Sequence, residues 1–506
     1  GEAVVAYEGA LSRLAAYSDQ GMMARAAHGL GLAQWRQGSL QAARAAFEQA
    51  LELLGNAPSA ETVRVLVDLS TLLTVHLGQQ AEGAASAQRA LEMARQLADK
   101  SLEAAANRAV AGRFFLSGQE IALALQSLKR ALVLAEESDD PCEAAKCCFY
   151  LAGAYYWKAE IRQSYQVSMR GVAFIERSHQ QYQLRIASAW LALLLASQGD
   201  WLEAEQAIER VQALSPPLAS AFLRQIRGFL AYQREEYGAA ERELQAALVN
   251  QQTGSMGLIF AAGLLGMAQA ARGKREEAAA SMVELETLLA TLPPGTLPIV
   301  PIMLCLALIA IALGDEERAA QLYPRLQAFS GQHYWFLVDR VLGELATLGG
   351  EWDRAMVHLA AAEETSQSEG LRPELARTLW AQATCELARG GQENLTHAST
   401  LLKRALTLFE ELHLTEAAGR IRDQLHPLTR QGQAQRLPPQ VLPAGLTASE
   451  AKVLQLVVAG KSNRQIAQEL GLSEKTVANH LTHVFNKTNS ENRAAAAAFA
   501  IRHRIA

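Results

Sequence analysis

Small and apolar residues recur along most of the chain in a fixed order, set between turn positions that return about every forty residues. The turns fall at Gly38, Gly78, Gly118, Ala159, Gly199, Glu236, Gly273, Gly314, Gly350 and Gly390. In one unit Gly31, Gly38, Ala43 and Ala50 surround Phe47. The same offsets return as Gly266, Gly273 and Ala278, and again as Gly343, Gly350 and Ala355. Side chains this small let two helices approach closely, so the pattern predicts a helix pair per unit and roughly ten pairs. Neither helix of a pair can bury its apolar stripe alone, so neighbouring pairs must stack on a shared core. The expected product is a curved superhelix with a concave face that could hold a ligand or a partner.

The repeat is expected to occupy residues 1–425 and to stop at His426. From there to Gly445 the chain holds Pro427, Pro438, Pro439 and Pro443 among several glutamines, and the expectation is a linker that helix cannot run through. A different pattern fills 446–506. Thr447 and Glu450 have capping-box spacing ahead of Val453, Leu454, Leu456, Val457 and Val458, and Gly460 ends that helix. Ser462 and Gln465 repeat the spacing ahead of a short helix with Ile466, Ala467 and Leu470 inward. Gly471 permits a tight turn, Ser473 can cap a third helix, and Glu474 suits its positive end. On that third helix Val477, Leu481 and Val484 share one side. Lys475, Ala478, Asn479 and Thr482 form the opposite stripe, at i, i+3, i+4 and i+7. A cation, an amide and a hydroxyl in one stripe can reach base edges or phosphates in a major groove, and they equally suit a solvated helix face.

Composition narrows the fold. Half the residues are apolar and only 6% aromatic, an Ala/Leu-rich mixture that favours an all-α protein. Cys142, Cys147, Cys148, Cys305 and Cys385 are scattered without metal-ligand spacing, which reads as reduced buried thiols in a cytoplasmic protein. Leu297–Leu313 is apolar enough to be tested as a membrane span, but it falls in step with the repeat and is expected to be a buried solenoid helix. Two aromatic groups have two readings, a pocket lining or inter-repeat core. They are Phe149, Tyr150, Tyr155, Tyr156 and Trp157, and then Tyr334, Trp335 and Phe336. From Gly445 onward the formal charge is +4, against −5 for the whole chain, so the rest carries −9. A basic tail on an acidic body has the charge distribution of a separate polyanion-binding module.

The helix pairs resemble tetratricopeptide (TPR) repeats with a period longer than the usual one of about 34. The tail closely resembles the LuxR-type helix-turn-helix domain, through Leu446, Thr447, Glu450, Val453, Leu454, Gly460, Ser462, Asn463, Ile466, Ala467, Leu470, Ser473, Thr476, Val477, His480, Arg493 and Ala496. That resemblance implies a bacterial transcription regulator with a four-helix module, whose third helix enters the major groove of double-stranded DNA as part of a homodimer. By family position Lys475, Asn479 and Thr482 are base-reading candidates. Thr476, His480, Lys487 and the run Lys461, Ser462, Asn463 and Arg464 are phosphate-contact candidates. Two departures stand out. Ala478 replaces a frequent Lys, and Thr488 and Ser490 replace the apolar residues that precede the fourth helix and bear on dimer geometry.

Repeats followed by such a tail resemble the C-terminal half of the large ATP-dependent LuxR-type regulators, the maltose-regulon-activator-like group. Those carry an N-terminal nucleotide-binding domain. This chain begins at Gly1 rather than Met, so the expectation is a truncated chain or a regulator that dispenses with that domain. Gly460, Lys461 and Ser462 look like the end of a phosphate-binding loop, but Gln455 stands where that motif requires glycine. No catalytic or metal-binding constellation stands out, so no enzyme activity, cofactor or metal is expected. The reading is a TPR-like α-solenoid that senses a small molecule or protein and controls a DNA-binding tail. The competing one is a TPR interaction scaffold whose tail does not bind DNA.

Overall fold

The computed structural model describes residues 2–15, 19–117, 120–178, 181–213, 220–249, 256–292, 299–436 and 442–505. They divide into two compact units, Gly1–Leu425 and His426–Ala506. The first is a helical-repeat solenoid. Between the single helices Glu2–Ala15 and Thr415–Arg436 lie ten helix pairs, beginning with Gln20–Arg36 and Leu40–Leu54 and ending with Arg372–Arg389 and Gln392–Glu411.

The turn inside each pair needs one residue with positive φ, which glycine adopts without strain. Gly38, Gly78, Gly199, Gly273, Gly314, Gly350 and Gly390 all take it, and Ala159 takes it at φ 61°. In the remaining described pair the left-handed residue is Glu235 at φ 63°. Glu236, the expected position, has φ −80° and stands at the N-cap of the next helix. Gly118 lies outside the described residues. The close approaches follow the predicted offsets. A Cβ on Gly31 would stand 2.5 Å from the Phe47 ring and 3.2 Å from the Ala43 carbonyl. One on Gly343 would stand 2.4 Å from Leu359 and 3.2 Å from the Ala355 carbonyl.

The inner face is not uniform. Residues 20–178 bury several separate small cores, around Phe47, around Leu91 and around Leu128. From Tyr156 to Leu371 there is one continuous core. A short hairpin is inserted into it, His333–Tyr334 paired antiparallel with Phe336–Leu337, the one departure from all-α among the described residues. The Trp335 N–H donates to the Tyr156 hydroxyl at 3.0 Å. Around the hairpin, segments distant in sequence are tied together. Arg372 donates to the Gln198 carbonyl at 3.0 Å and to Asp200 at 2.5 Å. The Trp201 indole N–H donates to the Leu412 carbonyl at 3.2 Å. The Glu235 carboxylate accepts from the Glu416 and Ala417 N–H groups at 3.0 and 3.1 Å.

The two aromatic groups therefore separate. Tyr155, Tyr156, Tyr334, Trp335 and Phe336 are core, whereas Phe149 is 39% exposed and borders a cavity with Tyr150. Ile299–Leu313 is a buried solenoid helix, and no helix among the described residues is long and apolar enough to cross a membrane. All five cysteines are free, and four of them are buried.

The expected helix-free linker is corrected in its first half. The helix Thr415–Arg436 runs straight through Pro427. A helical proline costs one backbone bond and crowds the preceding turn, about 3 kcal/mol, and a helix of 22 residues has enough other bonds to carry that loss. Pro438 and Pro439 lie outside the described residues. Pro443 opens a single 3-10 turn ending at Gly445.

Candidate nucleic-acid interface

The second unit closes with four helices, Ala448–Val458, Asn463–Leu470, Glu474–Thr488 and Arg493–Arg502. Each begins where a side chain satisfies a free backbone N–H. Thr447 with Glu450 and Ser462 with Gln465 both form complete capping boxes, Ser473 accepts from Thr476 N–H, and Asn492 accepts from Ala495 N–H. Gly471, at φ 66°, makes the tight turn between the second and third helices. Leu454, Ile466, Val477, Leu481, Val484 and Ala496 meet in one small core.

That packing decides which face of the third helix remains outside. Because Val477, Leu481 and Val484 are buried, Lys475, Ala478, Asn479 and Thr482 are all exposed along the opposite side. Lys475 and Asn479 form no side-chain hydrogen bond or ion pair among the described residues, so their donors and acceptors are available to a ligand. Thr482 donates its hydroxyl proton to the Ala478 carbonyl at 3.1 Å, which leaves its oxygen as an acceptor. Asn486 continues the same stripe one turn on and is exposed. Its place at i+4 from Thr482 was the signal in the sequence that identifies it.

The other candidate residues separate into two groups. Arg464 is exposed and unpaired among the described residues, and His480 is half-buried beside the exposed stripe. Ser462 is used as a cap, and Thr476 shares a 2.7 Å hydroxyl contact with the cap Ser473. Lys461 pairs with Glu469. Asn463 accepts from Arg493 at 2.8 Å, and Arg493 also donates to the Lys461 carbonyl, so the fourth helix holds the start of the second.

Lys487 has a structural role. Its ammonium lies 2.7 Å from Glu450, a carboxylate only 5% exposed, which also accepts from Thr447 N–H at 2.8 Å. Burial raises the Glu450 pKa, but Lys487 and Thr447 outweigh it and hold the group below the usual carboxylate range. Thr488 is buried; its hydroxyl donates to the Val484 carbonyl at 2.7 Å and lies 2.9 Å from the Ser490 hydroxyl, which can donate to it. These two polar residues therefore satisfy each other at the end of the third helix.

Three comparisons bear on this unit. The profile described as bacterial regulatory proteins, luxR family, matches residues 444–500. Spore germination protein GerE of Bacillus subtilis is 41% identical over 51 residues, 10% of this chain and 69% of that protein. Transcriptional regulatory protein DegU of Brevibacillus brevis is 43% identical over 58 residues, 12% of this chain and 25% of that protein. The chain spans about a quarter of the length of DegU. Among solved structures, a Rap protein complexed with competence and sporulation factor aligns with 82% of this chain and 99% of its own, at 13% identity and a TM-score of 0.41.

Proposed function

Because the chain belongs to the luxR family of bacterial regulatory proteins, we propose that it is a transcription regulator whose third tail helix reads double-stranded DNA. The observation that supports this most is the exposed stripe of Lys475, Asn479 and Thr482, in which the first two have no side-chain partner among the described residues. Asn479 has the amide geometry to pair with an adenine edge, and Lys475 can reach guanine or phosphate. Ala478 between them is small and apolar, suited to a thymine methyl group. Arg464, Ser462 and Thr476 serve the backbone phosphates, while Lys487 and Arg493 act indirectly by holding the helices in place.

In this reading residues 1–425 sense a small molecule or protein, 426–445 connect, and 446–506 bind DNA as a homodimer in the cytoplasm. The solenoid carries no enzymatic role. The test is selection of bound sequences from random DNA by the full chain, followed by gel shift on the selected site. Asn479→Ala should lose about 1–3 kcal/mol of affinity and relax preference at one base pair, as expected for a lost bidentate contact. Log affinity should fall with log salt at about −0.9 per phosphate neutralised. Unchanged binding by Lys475→Ala and Asn479→Ala together, or a salt-insensitive complex, would overturn the assignment.

A further inference from the structure

A cavity of about 420 Å3 lies among the first five helix pairs of the solenoid. Its lining includes Trp35, Asp68, Arg108, Lys146, Phe149 and Tyr150. These residues come from the first helix of four successive pairs, and the volume falls in the range of small-molecule sites, about 300–1,000 Å3.

Its aromatic walls are held in place from behind. Trp35 meets Phe47 and His76 edge-on, with ring centroids 6.4 and 5.3 Å apart. Phe149 is set edge-on by Tyr150 at 5.7 Å and by Trp190 at 6.0 Å. Phe149 nevertheless stays 39% exposed, which is a rigid apolar surface that the core does not use.

The charged groups around the cavity are paired differently on its two walls. On one wall Asp68 is matched by His28, whose ring nitrogens lie 2.8 Å from Asp68 and 3.0 Å from Glu61. Burial lowers the His28 pKa, but the two carboxylates outweigh it and raise it, favouring the cation. Arg64 also pairs with Glu61, from an exposed position, at 3.4 Å. On the other wall two cations share one carboxylate. Arg108 donates to Glu143 at 2.6 Å and Lys146 to the same group at 3.3 Å. Among these three groups that leaves one positive charge in excess, which Asp140 partly offsets through Lys146. Arg108 is buried, but the Lys146 side chain is 41% exposed, so the ammonium is the cation that an incoming anion would meet.

We infer that this cavity is a binding site for a small aromatic carboxylate, its ring between Trp35 and Phe149 and its carboxylate on Lys146. The site deepens the sensing role proposed above, and its regulatory meaning rests on that reading. Binding itself can be tested separately.

The probes are 3-phenylpropionate, 3-phenyl-1-propanol and 3-phenylpropylamine, which share one ring and chain length and differ only in charge. Calorimetric titration of the full chain should show the acid binding about tenfold more tightly than the alcohol, the increment of one charge-assisted contact, with the amine weakest. Lys146→Gln should remove the preference of acid over alcohol, and Lys146→Arg should keep it. Phe149→Ala should weaken acid and alcohol by the same factor. Alcohol or amine binding as tightly as the acid, or no binding by any probe at millimolar concentration, overturns the site. A gel shift with and without 3-phenylpropionate separates the two proposals. Acid binding with no DNA binding at all sinks the regulator reading and leaves the site, whereas DNA binding without acid binding does the reverse.

Discussion

Residues 20–178 and 156–371 are built from the same helix pair and the same left-handed turn, yet their inner surfaces end differently. In the earlier stretch the cores stay separate and a cavity remains beside Phe149 and Lys146. In the later one the hairpin at His333–Leu337 enters, and Trp335 and Phe336 fill the space between helices. A repeat therefore supplies a curved face, but whether that face can receive a ligand depends on insertions the repeat does not contain. The two also handle charge differently. The later stretch holds a charge-balanced network of Arg340, Arg377, Glu374 and Glu344, whereas the earlier one leaves Lys146 partly open to solvent.

The largest expected effect tests whether the hairpin's charge network closes the later stretch. Glu374 is 1% exposed and accepts from the Leu337 N–H at 3.1 Å and from Arg340 Nε at 2.9 Å. Glu374→Ala removes one of the two carboxylates paired with the buried Arg340 guanidinium and strands the buried Leu337 N–H, so it should cost about 3–5 kcal/mol. Hydrogen exchange should show that loss in residues 333–345 while protection in 20–112 is retained. Loss spread evenly over both stretches would mean that they unfold as one unit, and the contrast would be lost.

Acid should separate the same two stretches more gently. His333 is fully buried with neither ring nitrogen hydrogen-bonded, and burial pushes its pKa down to about 4. A depressed folded value means that its stabilisation is complete above the unfolded value of about 6.5 and declines as pH falls toward 4, by about 1.4 kcal/mol per unit. The raised His28 has the opposite sign. Its contribution is complete below about 6.5 and is lost as pH rises through its folded value. Moving from pH 7 to pH 5 should therefore loosen the hairpin region and firm the first pairs. His333→Gln should flatten the first effect alone, as followed by pH-dependent exchange.

The smallest effect concerns the turns. Ala98 is exposed and left-handed at φ 52°, so Ala98→Gly should stabilise the first pairs by about 1 kcal/mol. Glu235 is left-handed too, but its carboxylate caps the N-terminus of Thr415–Arg436. Glu235→Gly relieves the backbone while removing a cap of similar size, about 1 kcal/mol, and thermal unfolding should show little net change. A clear gain in Glu235→Gly would mean that this long-range cap contributes little.

Much of the fold is legible because it is local. The forty-residue spacing of Gly38 through Gly390, the capping residues Thr447, Ser462 and Ser473, and the burial of Val477, Leu481 and Val484 follow from turn geometry and helix period. The exposed stripe of Lys475, Asn479 and Thr482 follows for the same reason, since burying one side of a helix exposes the other. Local rules mislead in two places. At Glu236 the turn is displaced by one residue, to Glu235, whose carboxylate also accepts from a helix about 180 positions later. At Pro427 the helix continues, because a proline removes only one bond from a long run.

The sequence by itself determined the helix pairs, their approximate number, the caps of the tail and the face of its third helix, all set by interactions within a few turns of chain. Tertiary structure alone decided that Lys487 neutralises Glu450 rather than standing free, that Arg493 holds Asn463 and Lys461, and that the hairpin joins the continuous core of the later stretch while the cavity beside Phe149 opens in the earlier one. Those outcomes depend on pairs of residues from 30 to some 200 positions apart, whose distances no periodicity along the chain encodes.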